Sequence, residues 1–365
     1  MELIKNIIIE NEAYNYPLTK KIIDQIRSVK VCKVLTKNHN SFTYYNNMPY
    51  DLGKNTLYLM VYKGDFLKPC PGTKEYICCK YKILNVAANC PLNCSYCILQ
   101  AYFNQPYLRV FVNIEERITQ VLDMIDNHKN KIFRIGTGEF TDSLALDPIV
   151  GWSEILIPYF SKRKNVILEL KTKTDHIKKV ISLPYRERII VSWSLNSPII
   201  SAHEEYGAVS IKKRIEAASI CQKEGFIVGF HFDPLIIHKN WQEEYRKTLQ
   251  LLYKYIDPTK IIWISLGSFR YMPELKDIII KRHKKSTILN GEFIKGLDGK
   301  MRYFKPIRIE LYSYMYEKLT DWYNDLGIYL CMESDDVWEN SFGWSPKNSL
   351  GLKDFLDRRV IKFYG

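Results

Sequence analysis

A chain of 365 residues that is 46% hydrophobic can bury an ample core and is long enough for two or three lobes. Its 53 Lys and Arg against 40 Asp and Glu leave a charge of +13, which favours polyanions such as nucleic acid or anionic lipid, although a Lys-rich genome bias with a solvated lysine surface would give the same total. No apolar run approaches the roughly 18 residues that span a bilayer, and Lys5, Glu10 and Glu12 break up the amino terminus as a secretory signal, so neither is read here and a cytoplasmic protein is expected.

In chain order, Ile22, Ile23 and Ile26 mark a helix, and the run Thr56 to Tyr62 between Gly53 and Gly64 reads as one buried strand. Residues 1–80 are therefore assigned to a small mixed lobe. No repeat, low-complexity tract or Pro/Gly-rich linker sets it apart.

From about residue 82 to 270, strand and helix signals alternate. Strand-like runs are Ile83 to Ala87, Ile132 to Gly136, Val166 to Leu170, Ile189 to Trp193, Phe226 to Phe232 and Ile261 to Leu266. Helix-like segments between them are Ile114 to Asn127, Trp152 to Phe160, His176 to Leu183, Ile211 to Glu224 and Trp241 to Tyr255. Six short apolar strands joined by amphipathic helices predict an α/β fold whose parallel sheet curls into a full or partial (β/α)6 TIM-like barrel over 81–270, followed by a carboxyl-terminal extension over 271–365. Ligands of such a sheet sit at the carboxyl ends of its strands. Those ends carry Gly136-Thr137-Gly138-Glu139, Lys171-Thr172-Lys173, Ser194-Leu195-Asn196 and His231-Phe232-Asp233-Pro234. Each patch alone is more often a turn or a helix cap, and His231 is equally a satisfied core residue; four together around one loop point to a site.

That loop follows the first strand. Cys90, Cys94 and Cys97 form a CxxxCxxC run, and three soft thiolates on one tight loop suit three corners of an iron–sulfur cube whose fourth iron stays open. Zinc is the alternative. Structural zinc needs a fourth ligand at short spacing, and after Cys97 no Cys or His occurs until His128, so zinc would have to recruit Cys70, Cys78 or Cys79 from upstream. Nine cysteines in a reducing compartment favour ligation over disulfides. Adjacent Cys78 and Cys79 are expected to pack rather than share an ion.

Beyond residue 270, Lys281, Arg282, Lys284 and Lys285 surround His283, and Lys295, Lys300, Arg302, Lys305 and Arg308 follow with Tyr303 and Phe304 interleaved, a pattern suited to phosphates and stacked bases. The aromatic-rich helix Leu311 to Tyr323 is expected to pack on the barrel. Glu333, Asp335 and Asp336 read as an acidic knot off the binding face, and Cys331 as a small buried hydrophobe on a strand.

With Tyr96 before the third cysteine, the loop resembles the radical S-adenosyl-L-methionine (SAM) superfamily signature. The stretch Tyr81 to Glu116, with Leu99, Gln100 and Arg109-Val110-Phe111-Val112-Asn113, looks like the spore photoproduct lyase family. Sparser matches run over most of the chain: Cys70-Pro71, Glu75-Tyr76, Thr172-Lys173, Trp193 to Asn196, Gly229 to Phe232 and Arg302 to Phe304. The resemblance implies a partial barrel with a [4Fe-4S] cluster and SAM, whose reductive cleavage by one electron gives a 5′-deoxyadenosyl radical. Members use it on a thymine dimer in ultraviolet-damaged spore DNA and return two thymines. A reductant protein such as flavodoxin or ferredoxin is then an expected partner beside DNA.

Carried over by position, Cys90, Cys94 and Cys97 resemble the cluster ligands, and Tyr96 the residue against the adenosyl group. Thr141, Lys173 and Ser194 resemble positions holding the methionine end of SAM, with Asn196 and His231 at neighbouring strand ends. Gly138-Glu139 competes with Thr141 for the ammonium group, and the sequence does not choose between them. Arg302 and Tyr303 resemble substrate-contacting residues on a carboxyl-terminal hairpin. Two departures stand out: Glu139 occupies the place of the family's hydrogen-donating cysteine, and Ile98 that of its radical-relaying tyrosine. Cys331, and Cys70 after it, are the candidate replacement donors. The alternatives are a same-family enzyme with another nucleic-acid or small-molecule substrate, and a non-catalytic nucleic-acid-binding protein with a structural metal.

Overall fold

The computed structural model describes residues 4–27, 33–37, 53–73 and 75–365. Along the chain the strands are β1 (Asn6–Glu10), β2 (Lys33–Lys37), β3 (Thr56–Met60), β4 (Leu67–Pro69), β5 (Lys82–Leu84), β6 (Ala87–Ala88), β7 (Asn93–Cys94), β8 (Leu108–Phe111) and β9 (Phe133–Gly136). They continue with β10 (Val166–Thr172), β11 (Ile189–Ser194), β12 (Glu205–Tyr206), β13 (Ile227–Leu235), β14 (Ile261–Ser268), β15 (Arg270–Tyr271), β16 (Phe293–Lys295), β17 (Met301–Tyr303) and β18 (Ile328–Leu330). The helices used below are α1 (Pro17–Arg27), α2 (Leu99–Tyr102), α3 (Ile114–Asp126), α4 (Trp152–Phe160), α5 (Lys178–Ser182), α6 (Pro198–Glu204) and α7 (Ile211–Lys223). After them come α8 (Trp241–Tyr255), α9 (Pro273–Arg282), α10 (Lys305–Trp322), α11 (Asp335–Phe342) and α12 (Ser349–Tyr364).

A parallel strand buried on both faces needs an almost unbroken apolar run, and the chain supplies several. All eight residues of β14 and all six of β11 are buried. They belong to a curled half-barrel sheet in the order β18-β14-β13-β11-β10-β9-β5-β4, parallel throughout except for the edge strand β4. Helices cover its outer face: α4 packs on β10, α7 on β11 and β13, α10 and α12 on β14. The helices are held by stripes; α8 buries Trp241, Tyr245, Thr248, Leu249 and Leu252, and α3 repeats the spacing with Ile114, Ile118, Val121, Leu122 and Ile125. Each fully buried Ile, Leu or Val contributes about 1.5–3 kcal/mol over its exposed state.

The partial α/β barrel read from the sequence is therefore present, with β18 added as a seventh parallel strand from the carboxyl-terminal region. Two local expectations change. The run Ile83 to Ala87 is not one strand: Asn85 N bonds to Phe66 O and Val86 N to Leu84 O, turning the chain so that Ala87 pairs with Val110 in a different sheet. The helix expected over His176 to Leu183 shrinks to α5, because Trp193 Nε1 takes the Thr174 carbonyl at 3.0 Å and Leu183, preceding Pro184, is extended.

The second sheet runs β2-β1-β3-β8-β6 and takes two of its strands from beyond residue 80. A third, of order β15-β17-β16, forms the carboxyl-terminal hairpin. Glu333 does not share a surface knot with Asp335 and Asp336. It is buried, accepting from Tyr312 at 2.8 Å and lying 3.1 Å from Arg308 Nε, whereas the two aspartates are exposed. Among the described residues, no helix is long and apolar enough to cross a membrane.

Candidate active site

A left-handed turn at Asn89, φ +75°, swings the chain from β6 into the cysteine loop. Every part of that loop is clamped. Lys54 Nζ donates to Asn89 Oδ1 at 3.0 Å and to the Cys90 carbonyl, and Asn89 Oδ1 also accepts from Cys90 N. β7 pairs with β12, setting Cys94 opposite Glu205, and Ser95 Oγ donates to Glu204. Gln100 Nε2 donates to the carbonyls of Cys94, at 3.0 Å, and Ser95, at 3.1 Å. The preorganised loop presents Cys90, Cys94 and Cys97 to one cavity of about 390 Å³ at the carboxyl ends of the barrel strands.

The donor set fits an iron–sulfur group better than a closed single-ion site. Three soft thiols on one loop face the cavity, and no fourth Cys or His stands within that loop to close a tetrahedral site, which leaves a corner open. Burial pushes the free Cys90 thiol up to about 12 and raises Cys94 as well, so both are protonated until a metal claims them.

The cavity has two unlike halves. Beside the cysteines lie Tyr96, Thr141, Asp142, Lys173 and Ser194. Asp142 ties this half together: it accepts from Leu144 N, Ala145 N and Thr172 Oγ1 on one oxygen and from Lys173 N at 2.8 Å on the other. Lys173 Nζ lies 5.8 Å from the centre of the Tyr96 ring, whose hydroxyl donates to Glu205, itself paired with buried Arg214. Thr141 Oγ1 is buried with no hydrogen-bond partner, an orphan that costs about 1–3 kcal/mol unless a ligand meets it.

The opposite half is a wall of thiols and ion pairs: Cys70, Cys79, Cys331, Glu139 with Lys171 at 2.5 Å, and Asp233 held by both Arg270 Nη atoms at 3.1 and 3.2 Å. Arg270 Nη2 lies 3.5 Å from Cys331 Sγ. Burial, then the Asp233 charge, raise the Cys331 thiol, which keeps its proton. Gly267 makes this geometry possible, since a Cβ there would lie 2.6 Å from the Asp233 carboxylate.

Glu169 forms the floor. Its carboxylate accepts from Tyr81 at 2.6 Å, from Trp263 at 3.0 Å and from Ser192, and meets His231 Nε2 at 2.9 Å. His231 Nδ1 meets Ser265 Oγ at 2.6 Å, so His231 both lines the cavity and is fully partnered. Burial opposes the Glu169 charge, but His231 and these donors hold its pKa well below the usual carboxylate range. At Gly136 a Cβ would lie 1.9 Å from the Tyr81 hydroxyl, so only glycine lets that side chain reach Glu169.

Of the residues singled out in the sequence, Cys90, Cys94, Cys97, Tyr96, Gly138, Glu139, Thr141, Lys173, Ser194, His231 and Cys331 all line this cavity. Asn196, Arg302 and Tyr303 do not. Asn196 is buried behind Ser194, bonded to Pro234 O at 2.9 Å and Tyr245 OH at 2.7 Å. Arg302, 1% exposed, donates to Asp298 at 2.8 Å and lies 4.1 Å over the Tyr76 ring; Tyr303 stacks on Phe293 at 4.8 Å and accepts from Ile237 N. Lys300 of the same hairpin reaches the cavity instead. Sequence reasoning passed over Glu169, Asp142 and Arg270, and had Lys300 only as one member of a basic run. A lone acid inside the run Val166-Ile167-Leu168-Glu169-Leu170 was the available signal for Glu169.

Comparison with known proteins follows the same lines. Residues 3–325 match the family described as spore photoproduct lyase. The spore photoproduct lyase of Bacillus subtilis is 26% identical over 322 residues, covering 86% of this chain and 90% of that protein. That of Clostridium acetobutylicum is 22% identical over 323 residues, with 87% and 91% covered. Among solved structures, a spore photoproduct lyase mutant with dinucleoside spore photoproduct superposes with a TM-score of 0.80 at 22% identity, over 90% of this chain and 98% of that one. A mutant with bound AdoMet and the same dinucleoside gives 0.78 at 22% identity, over 91% and 99%.

Proposed function

Because the chain belongs to the spore photoproduct lyase family, a family of radical SAM enzymes, we propose that its cavity repairs a thymine lesion in DNA, with cofactor and lesion bound in opposite halves. The observation that carries this reading is the single cavity shared by the three-cysteine loop and the thiol wall. Cys90, Cys94 and Cys97 would hold a [4Fe-4S] cluster, and Tyr96, Gly138, Thr141, Lys173 and Ser194 would hold SAM. When bound, these groups supply a 5′-deoxyadenosyl radical able to take hydrogen from the lesion.

The chain's own side chains do the rest. Lys173 suits a carboxylate, and the unpartnered Thr141 hydroxyl suits a polar atom beside it. Glu139 is better placed for the lesion half, since it is paired with Lys171 and lies close enough for its charge to raise the Cys70 and Cys331 thiols. Cys331 is the hydrogen donor in this reading. Only a protonated thiol can give up a hydrogen atom, and burial with Asp233 keeps it in that form. Its S–H bond breaks as the new C–H bond forms, and one electron from the reductant and one proton reset the thiol.

Anaerobic reconstitution with iron and sulfide, followed by SAM and dinucleotide spore photoproduct, tests the proposal. A reducible cluster, 5′-deoxyadenosine and restored thymine are expected. SAM cleavage without thymine would replace the lyase by a same-family enzyme with another substrate, a second reading that Glu139 and Ile98 favour by departing from the family's cysteine and tyrosine. Zinc without SAM cleavage would leave a nucleic-acid-binding protein with a structural metal.

A further inference from the structure

The basic group at residues 281–285 does not line the cavity. Met272, immediately before α9, does; Lys281 is the ninth residue of that helix, about 12 Å along its axis from Pro273. There the helix returns to the back of the cysteine loop, packing on α2. His283 Nε2 meets Gln100 Oε1 at 3.2 Å, and Arg282 Nη1 reaches the same oxygen at 3.4 Å. The other end of that amide holds the Cys94 and Ser95 carbonyls, so one side chain joins the basic segment to a cluster-ligand residue.

Around this bridge the surface is cationic and aromatic. Lys281, Lys284 and Lys285 are exposed, and Tyr206 lies parallel to the His283 ring, centroids 6.1 Å apart, with 44% of its own surface exposed. Tyr206 is also the register partner of Asn93 in the two-residue ladder that sets Glu205 opposite Cys94. An exposed ring on a strand bonded to the ligand strand, stacked on a histidine that lysines flank in the chain, gives an anionic protein both an apolar anchor and electrostatic steering.

We infer that this face, formed by the end of α9 and by β12, is the docking site for a small acidic one-electron carrier that reduces the cluster. The inference rests on the cluster reading above and adds where the electron enters. Charge complementarity suits an acidic protein, and the position outside the cavity, bridged through Gln100 to the Cys94 carbonyl, favours this occupant over DNA. One electron leaves the carrier's reduced flavin or iron–sulfur group and arrives on the cluster; no atom is transferred.

The test is the combined variant Lys281→Glu, Lys284→Glu, Lys285→Glu in the full reconstituted chain, with a flavodoxin as probe. Its affinity at low salt, measured by calorimetry, should fall at least about tenfold, and the salt dependence of what remains should flatten. Binding of a lesion-bearing oligonucleotide and reduction of the cluster by dithionite, followed by electron paramagnetic resonance, should be unchanged. Undiminished flavodoxin affinity would overturn the inference, and so would a parallel loss of oligonucleotide affinity, which would assign the lysines to DNA phosphate. A wild-type chain without a dithionite-reducible cluster would instead refute the underlying reading of the site, so the two failures are separable.

Discussion

His231 Nε2 lies 2.9 Å from Glu169 Oε1, and through Ser265 on its other nitrogen the imidazole links β10, β13 and β14 beneath the cavity. Removing His231 would leave the buried Glu169 carboxylate with Tyr81, Trp263 and Ser192 as donors but without its imidazole partner, at a cost of about 1.5–3 kcal/mol. His231→Ala is expected to destabilise the chain on that scale in denaturant unfolding, and Glu169→Gln less, because an amide keeps part of the hydrogen bonding. The pH dependence has a fixed sign. A carboxylate whose folded pKa is depressed contributes stability above its unfolded value and loses it as pH falls towards the folded one, so Glu169 should lose stability below about pH 4.3. His231→Ala should flatten that acid limb; an unchanged limb would show that the pair does not govern it.

The barrel and the cysteine loop were legible because their signals are local. A strand buried on both faces must be an apolar run, and three thiols for one cluster loop must be close in sequence, as at Cys90, Cys94 and Cys97. The floor was not legible. Glu169 draws its partners Tyr81, Ser192, His231 and Trp263 from separate parts of the chain, and only closure of the sheet makes a charge inside an apolar strand tolerable. Arg302 misled for the same reason in reverse. From the sequence it is one cation among several, whereas Asp298 and Tyr76 turn it into a buried anchor.

Cys331→Ala should separate the two stages of the reaction. The residue lies in the wall proposed to meet the lesion, 3.5 Å from Arg270 Nη2, so 5′-deoxyadenosine formation should persist while restored thymine falls at least about tenfold, or about 1.4 kcal/mol of barrier. In deuterium oxide an exchangeable S–D bond labels the product. The wild type should return thymine carrying one deuterium and the variant should not; equal labelling in both would move the donor role elsewhere, with Cys70 the next thiol in the wall.

Thr141→Val isolates the orphan hydroxyl. Its removal should leave the unloaded chain as stable or more stable by about 1 kcal/mol, since no bond is lost and a buried polar atom disappears. SAM affinity, measured by equilibrium dialysis, should fall several-fold. Lys173→Met should weaken it further, by roughly 10- to 100-fold, the scale of a charged hydrogen bond of about 1.5–3 kcal/mol. A Thr141→Val chain that is less stable without SAM and binds it normally would make the hydroxyl structural.

Lys300 and Arg302 are neighbours on one hairpin with opposite fates, and the contrast yields a paired test. Lys300 lines the cavity near Arg270 and lies 3.8 Å from Asp298, whereas Arg302 is buried against Asp298 and Tyr76. If Lys300 meets a phosphate of damaged DNA, Lys300→Ala should weaken oligonucleotide binding evenly across sequences and lower the salt slope by about one. Arg302→Ala should act on folding, because it removes the 2.8 Å partner of Asp298 and leaves that carboxylate Lys300 at 3.8 Å, at a cost of about 1–3 kcal/mol. Oligonucleotide titrations at several salt concentrations, beside thermal unfolding, distinguish the two. An Arg302→Ala chain of normal stability with a lowered salt slope would return the arginine to the lesion, and the hairpin would then have to open on binding for its side chain to reach the cavity.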